Sequence, residues 1–270
     1  MRPMTVAAAQ LVAGPDPHAN LTQVRRLTAA AADAGAQLVA FPEATMACFG
    51  SRLSEIAEPL NGPFADGLRD AAHEHGIVIV AGMFEPAQDG RVHNTVLAVG
   101  PAIVDPGGQP AGEAAYRKIH LFDAFGAQES ATVCPGSELV TLQLAIAGSE
   151  PAAVGLATCF DVRFADQFSA LGRAGAELIV MPASWGDGPG KAAQWDLLTR
   201  ARAVDAQAWL LAAGQAWVAG QGATPLGIGR SVTVDPMGQV RAQLGHEPGL
   251  LVTTIDLATV ADTRARIPIL

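Results

Sequence analysis

The chain is short of lysine, cysteine and aromatic residues. Of its 17 basic residues, fifteen are arginines and only two are lysines, Lys118 and Lys191, so the place of each lysine calls for an explanation. The three cysteines, Cys48, Cys134 and Cys159, are widely spaced and odd in number. They form no Cys-x-x-Cys pair and no zinc-type spacing, which argues against a secreted disulfide scaffold and for a reducing compartment. Aromatic residues make up 5% of the 270 positions, and 26 acidic residues outnumber the basic ones for a formal net charge of −9. Binding to duplexes needs a basic face, and binding to single strands needs aromatic platforms, so nucleic acid is not an expected partner. No apolar run reaches the roughly 18 residues of a membrane span. Even the stretch 206–220 is interrupted by Gln207, Gly214 and Gln215. Met1-Arg2-Pro3-Met4 carries a charge but leads into no long apolar segment. The expectation is a cytoplasmic protein that contacts no membrane.

What is present is a regular alternation of helix and strand signals. Leu21, Val24, Leu27 and Ala31 fall at helical spacing after Asn20, read as the N-cap, and Gly35 stands where a C-terminal cap belongs. A strand over 37–41 follows. The same grammar recurs in a helix over 164–175 leading into a strand over 177–181, and in a helix over 64–75, Gly76 and a strand over 77–81. The first two exits nearly repeat: Ala34-Gly35-Ala36-Gln37-Leu38-Val39 against Ala174-Gly175-Ala176-Glu177-Leu178-Ile179. Internal symmetry and convergence on one helix-Gly-strand solution both account for that. Further apolar β-rich runs cover 95–99, 154–159, 209–213 and 231–234. Helices alternating with almost continuously apolar strands imply sheets covered by helices, hence an α/β or layered α+β class. Length divided by about 150 allows one or two domains, and no linker, low-complexity tract or charge block divides the chain. A single domain over 1–270 is expected.

Three residues stand out chemically. Cys159 ends the strand over 154–159 and precedes Phe160-Asp161-Val162-Arg163, which reads as the start of a helix. A thiol there feels the positive end of the helix beside backbone N–H groups suited to an oxyanion, which favours a thiolate nucleophile; the alternative is an inert buried thiol. Alternation in Tyr116-Arg117-Lys118-Ile119-His120 puts Lys118 and His120 on one face. An ammonium facing the thiol would lower its pKa and hold an oxyanion, whereas the bland reading is a surface lysine. Glu43 follows the strand over 37–41, at a sheet edge where a general base can act and where a helix-capping or ion-paired acid is equally at home. Glu129, in a loop, is a weaker candidate.

Other patterns are poor. His73-Glu74-His75 points its rings apart on a helix, so no metal site is expected. The segment Gly186-Asp187-Gly188-Pro189-Gly190-Lys191 lacks the glycine offset and the following Ser/Thr of a phosphate loop and reads as a flexible loop, while Gly227-Ile228-Gly229 leads to no dinucleotide fingerprint.

Phe41-Pro42-Glu43, Tyr116-Arg117-Lys118-Ile119-His120-Leu121-Phe122 and Gly155-Leu156-Ala157-Thr158-Cys159-Phe160-Asp161-Val162-Arg163-Phe164 resemble the three signature blocks of the nitrilase superfamily, the carbon-nitrogen hydrolases. His93-Asn94-Thr95, Arg200-Ala201-Arg202-Ala203-Val204-Asp205, Val234-Asp235-Pro236 and Ile255-Asp256-Leu257 also resemble family segments. The resemblance implies a four-layer α-β-β-α sandwich, pairing into a homodimer or higher homo-oligomer, and a Glu43-Lys118-Cys159 triad with Glu129 beside it. Phe160-Asp161 after the cysteine is similar to the amidase and omega-amidase-like branch. Ala165-Asp166, Met237 and Gln194 depart from the family's usual residues and leave the substrate unassigned. The expected reaction is hydrolysis of a small amide through a thioester on Cys159, with no cofactor. Glu43 would move protons, and Lys118 and the Phe160 N–H would hold the oxyanion. Trp185 is a further candidate for substrate binding, and Arg163 or Arg173 for a substrate carboxylate. Nitrile or carbamoyl hydrolysis on the same triad, a Cys-His hydrolase using His120 or His93, and a non-catalytic binding protein are the alternatives.

Overall fold

The computed structural model describes residues 1–105, 107–217 and 226–270; the end of the stretch 206–220 lies outside them. The first half runs β1 (Pro3–Gln10), α1 (Pro17–Asp33), β2 (Leu38–Ala40), α2 (Leu53–Ile56), α3 (Pro63–His75), β3 (Val78–Pro86), β4 (Val92–Val99), β5 (Ile103–Val104) and β6 (Glu113–Arg117). The second runs β7 (Val140–Leu144), β8 (Ala152–Leu156), α4 (Ala165–Arg173), β9 (Leu178–Ala183), α5 (Lys191–Ala206), β10 (Trp209–Gly214), β11 (Val232–Val234), β12 (Val240–Gln243), β13 (Gly249–Asp256) and α6 (Ala258–Arg266). Among the described residues these strands form one sheet in the order β13-β1-β2-β3-β4-β6 and another in the order β12-β11-β10-β9-β8-β7-β5.

The almost unbroken apolar strands have a simple cause: both faces of both sheets are covered. Val6, Ala8, Leu38, Val78 and Val80 of the first sheet meet Val154, Leu156, Leu178, Val180 and Leu211 of the second in a central core. The intervening residues point outward. Val39, Phe41 and Ile79 pack under Val24, Leu27, Phe64 and Leu68 of α1 and α3. Ile179, Met181 and Leu210 pack under Phe168, Leu171, Trp195 and Ala203 of α4 and α5. Three cores separate four layers, α-β-β-α, and each fully buried Val, Leu, Ile or Phe contributes about 1.5–3 kcal/mol of transfer free energy.

The two halves follow the same path. β1, β2 and β3 are parallel and β4 returns antiparallel; β8, β9 and β10 are parallel and β11 returns antiparallel. Gly35 and Gly175, the glycines of the near-repeated segments, occupy equivalent exits from α1 and α4, both in the left-handed region at φ 80° and 92°. The sequence likeness thus falls on equivalent places in a repeated topology.

Two boundaries differ from the sequence reading. Asp16, not Asn20, caps α1: its Oδ1 accepts the His18 N–H at 2.9 Å, with Pro17 supplying the first helical φ. Asn20 instead lies buried in the helix, where its amide holds Gly14 and donates to the Met46 carbonyl at 2.9 Å, tying the loop after β1 to the loop after β2. Strand β8 stops at Leu156, before Cys159, because Thr158 is taken up in capping the next turn. Among the described residues no helix is long and apolar enough to cross a membrane.

Candidate active site

Because β4 is antiparallel to both β3 and β6, the C-terminal ends of β2, β3 and β6 share one end of the first sheet. Glu43 and Lys118 both emerge there. Beyond β2 the chain stays beside β3, with the Phe41 N–H donating to Val80 and the Met46 N–H to Gly82. A Cβ on Gly82 would lie 2.6 Å from the Ala44 nitrogen and 2.9 Å from the Glu43 Cα, so the close approach of this turn requires glycine. Ala44 turns the chain at φ 57° and leaves the Glu43 carboxylate 1% exposed. Its Oε1 accepts Lys118 Nζ at 2.9 Å and Asn94 Nδ2 at 2.8 Å, and its Oε2 accepts the Ser184 N–H at 3.0 Å.

Lys118 is 2% exposed and clamped between two acids, donating also to Glu129 at 3.0 and 2.9 Å. Glu129 begins the 3₁₀ turn Glu129–Ala131 and is held by the Phe122 N–H at 2.6 Å and by Asn94 Nδ2 at 3.2 Å. Burial alone would lower the Lys118 pKa, but the Glu43 and Glu129 carboxylates outweigh it and hold the ammonium above the ordinary amine range. The alternation expected to aim Lys118 and His120 together stops with β6 at Arg117: Lys118 turns to the glutamates, and His120 turns to Asp161.

Cys159 opens the 3₁₀ turn Cys159–Arg163 between β8 and α4, in the left-handed region at φ 45°. The turn is held by a reciprocal cap in which Asp161 accepts the Thr158 N–H at 2.9 Å. Asp161, fully buried, also accepts the hydroxyl of Tyr116, the chain's one tyrosine, at 2.6 Å and the His120 N–H at 3.2 Å. One carboxylate therefore joins the turn carrying Cys159 to the segment carrying Lys118.

The thiol departs from the sequence expectation of a depressed pKa. Burial, then the Glu43 carboxylate, push it well above the ordinary thiol range, and the opposing pull of Lys118 and the Ser184 N–H is weaker. The nucleophile candidate thus has its proton held more tightly than an ordinary thiol, with the Glu43 carboxylate as the neighbouring acceptor.

Arg173 is exposed at the far end of the nine-residue α4, about 14 Å along the helix axis from the Cys159 turn, and does not face the site. His120 Nδ1 pairs with Asp161 at 2.9 Å, its ring stacked on Phe164, and His93 Nδ1 meets the Cys134 carbonyl at 3.0 Å. Neither histidine makes a hydrogen bond to Cys159 among the described residues, which removes the geometric basis for a Cys-His pair. Cys48 and Cys134 lie elsewhere, beside Ser51 and Arg91. Among the described residues no group of three or more His, Cys, Asp or Glu side chains could hold a metal ion. Asn94 and Asp161 went unnamed as site residues in the sequence. The signal that could have found them is a polar side chain inside an apolar strand and beside a nucleophile candidate.

The family model of the carbon-nitrogen hydrolases matches residues 5–265. The chain belongs to this family. It is 47% identical over 274 residues to Hydrolase Rv0480c of Mycobacterium tuberculosis, covering 99% of this chain and 94% of that protein. It is 34% identical over 257 residues to the omega-amidase NIT2 of Mus musculus, covering 93% and 88%. Among solved structures, Saccharomyces cerevisiae Nit3, a member of branch 10 of the nitrilase superfamily, superposes with a TM-score of 0.81 at 25% identity, covering 99% of this chain and 95% of that one. A Glu-to-Gln mutant of the amidase from Nesterenkonia sp. AN1, with acrylamide added at its active-site cysteine, superposes with a TM-score of 0.76 at 27% identity, covering 98% of each chain. The protein is therefore an enzyme of the nitrilase superfamily, in its amidase-like branch.

In this carbon-nitrogen hydrolase the space around the Cys159 turn is aromatic, although the chain as a whole is poor in aromatics. Phe160 meets Phe122 edge-on at 5.1 Å and Phe164 at 5.6 Å, and Phe122 also lies 6.3 Å from Phe125. Trp185 is buried, donates Nε1–H to the Lys191 carbonyl at 3.0 Å, and leans on Trp195. Arg163 lies over Phe160 and Trp185 at 5.7 and 5.0 Å and donates to Gln194 Oε1 at 2.7 Å. Lys191, read from the sequence as part of a flexible loop, is the first residue of α5 and points at these rings.

Proposed function

We propose that this carbon-nitrogen hydrolase cleaves small amides through a thioester on Cys159. The observation that carries the reading is the buried Lys118 ammonium, fixed by Glu43 and Glu129, with the buried Cys159 thiol, whose pKa the same Glu43 helps to raise, at its side. A thiol is a poor nucleophile until its proton leaves, so Glu43 takes that proton as Sγ attacks the amide carbon. Lys118 and the Phe160 N–H hold the tetrahedral oxyanion, and the loss of one such donor costs about 3–4 kcal/mol of transition-state stabilisation. When the C–N bond breaks, Glu43 returns the proton to the departing ammonia or amine. Water, deprotonated by Glu43, then attacks the thioester and releases the carboxylic acid and the thiol. Glu129 holds Lys118 in place, and Trp185 walls the substrate side. All proton and oxyanion steps use side chains, backbone and water.

The substrate is a small amide, and the solution form proposed is a homodimer. Leu197 on α5 is 67% exposed, and Val204 and Met237 are also exposed, with Val204 beside the loop at Gly238. A second copy is the occupant proposed for that apolar face. Three free cysteines fit the reducing cytoplasm as its location. An ammonia-release screen over short linear amides, nitriles and N-carbamoyl compounds tests the reaction. Turnover concentrated on amides is expected, and no release from any amide would overturn the reading.

A further inference from the structure

Asn94 is buried on β4, between the two carboxylates of the site. Its one amide nitrogen donates to both, to Glu43 Oε1 at 2.8 Å and to Glu129 Oε1 at 3.2 Å. The same two oxygens accept Lys118 Nζ at 2.9 and 3.0 Å, so two donors and two acceptors alternate around a closed ring. The backbone repeats the link, with the Lys118 N–H donating to the Asn94 carbonyl at 2.8 Å. Asn94 Oδ1, by contrast, is buried with no hydrogen-bond partner among the described residues. A buried unpaired acceptor is destabilising, and an apolar side chain at this strand position would avoid it. The reason for an asparagine here therefore lies in its two N–H groups.

Their use follows from counting hydrogens. An ammonium has three, all donors. Lys118 meets three carboxylate oxygens, Glu43 Oε1, Glu129 Oε1 and Glu129 Oε2, so at rest each hydrogen faces a glutamate and none is left for an oxyanion. To hold an oxyanion, Lys118 must turn a hydrogen away and leave a buried carboxylate oxygen with one donor fewer. Each of the three oxygens has a second donor in place: Asn94 serves the Oε1 of Glu43 and of Glu129, and the Phe122 N–H serves Glu129 Oε2 at 2.6 Å. Without Asn94, two of the oxygens that Lys118 touches would lose that second donor. An asparagine suits the place because it is neutral and carries two hydrogens on one nitrogen. A hydroxyl has one, and a second cation would compete with Lys118 for both acids.

We infer that Asn94 is a positioning residue that acts through Lys118: it keeps Glu43 and Glu129 partnered while the ammonium turns one hydrogen to the oxyanion. This rests on the reading of Lys118 as an oxyanion donor in amide hydrolysis and adds the residue that releases it for that task. Asn94 is uncharged, so its removal leaves the charges around Cys159 as they are. The thiol should then react as before with a reagent that forms no oxyanion.

The test uses butanal, whose carbonyl carbon accepts the Cys159 thiol: the S–C bond forms, the C=O π pair becomes an oxyanion and the thiol proton passes to Glu43. Its dissociation constant is read from protection of the Cys159 peptide against iodoacetamide, which alkylates by displacing iodide and forms no oxyanion. Asn94→Leu, matched in size, and Asn94→Thr, a strand former with one hydroxyl hydrogen, should each bind butanal at least about fivefold more weakly than wild type. Their alkylation rates without butanal should stay within about threefold of wild type. A smaller loss of butanal affinity, an alkylation rate that falls by as much as the affinity, or no protection of wild type overturns the inference; Asn94→Thr decides it if Asn94→Leu does not fold. On the best amide of the substrate screen, kcat of either variant should fall at least about fivefold with KM within about threefold, and an unchanged kcat overturns the inference as well. Failure of wild type to release ammonia from any amide counts against the amidase reading alone, and the butanal result still decides the role of Asn94.

Discussion

Glu43→Gln is expected to make the Cys159 thiol more reactive toward alkylating agents while it abolishes amide turnover. The carboxylate is, after burial, the largest influence raising the thiol pKa. Removing a like charge at contact range shifts a pKa by about 1–3 units, here downward. Below the pKa, each unit raises the thiolate fraction about tenfold, but the thiolate's intrinsic nucleophilicity falls by about half a log unit, leaving a net gain of about threefold per unit. Alkylation of Cys159 by iodoacetamide at pH 7 should therefore be about 3- to 30-fold faster in the variant. The sign also fixes the pH profile. A raised thiol pKa means less thiolate at every pH below it, so the wild-type rate should still be climbing above the ordinary thiol value of about 8.5, with the variant's curve displaced to lower pH. Ammonia release should fall about 10²- to 10⁴-fold because the base is gone. Peptide-level mass spectrometry of the alkylated protein reads the first effect, and an ammonia assay the second. Slower alkylation in Glu43→Gln would refute the reasoning, since it would show that Glu43 already holds the thiol's proton in the resting enzyme.

Lys118→Arg keeps the charge, but a planar fork replaces an ammonium that meets three carboxylate oxygens in a buried slot; kcat should drop well over about tenfold, and near-normal kinetics would take Lys118 out of oxyanion binding. Asp161→Asn leaves donors from Thr158, Tyr116 and His120 facing an amide, so urea denaturation should show a loss of about 2–5 kcal/mol, with kcat falling more than KM rises. Gly82→Ala places a methyl 2.6 Å from the Ala44 nitrogen and must displace the Glu43 turn. A displacement of about 1 Å corresponds to about a hundredfold in kcat, and an unchanged kcat with an unchanged circular dichroism spectrum would show that the turn yields harmlessly.

Much of the fold was legible because burial on both faces writes itself as continuous apolar strands between helices that stop on glycine. Gly35 and Gly175 marked those stops, and the near-repeat around them fell on matching places in two halves of the same topology. The start of α1 was misread because apolar spacing begins with Leu21, whereas the helix begins with the Asp16-Pro17 pair, outside that stripe. Glu43 and Lys118 could be named because each lies in a motif that resembles a family block, and Glu129, in a loop, because the resemblance implies a second glutamate there; the structure gathers all three. The state of the thiol was not legible. The family resemblance implies that Lys118 and Glu43 stand beside Cys159, but not that burial and the Glu43 charge together outweigh the lysine. Asp161 and Asn94 escaped notice because the partners that tie them to the site, His120 for one and Glu43 for the other, are 41 and 51 residues away in sequence, separations that no local pattern reports. Lys191 looked like loop because the glycines before it hide the start of α5.

The central claim is that Cys159 is the nucleophile, and the most direct measurement is ammonia release by Cys159→Ala on the best amide from the substrate screen, with folding verified by circular dichroism. The account predicts no release above the uncatalysed background from a normally folded variant. Release within about tenfold of wild type would contradict it, since loss of a covalent nucleophile costs far more than that.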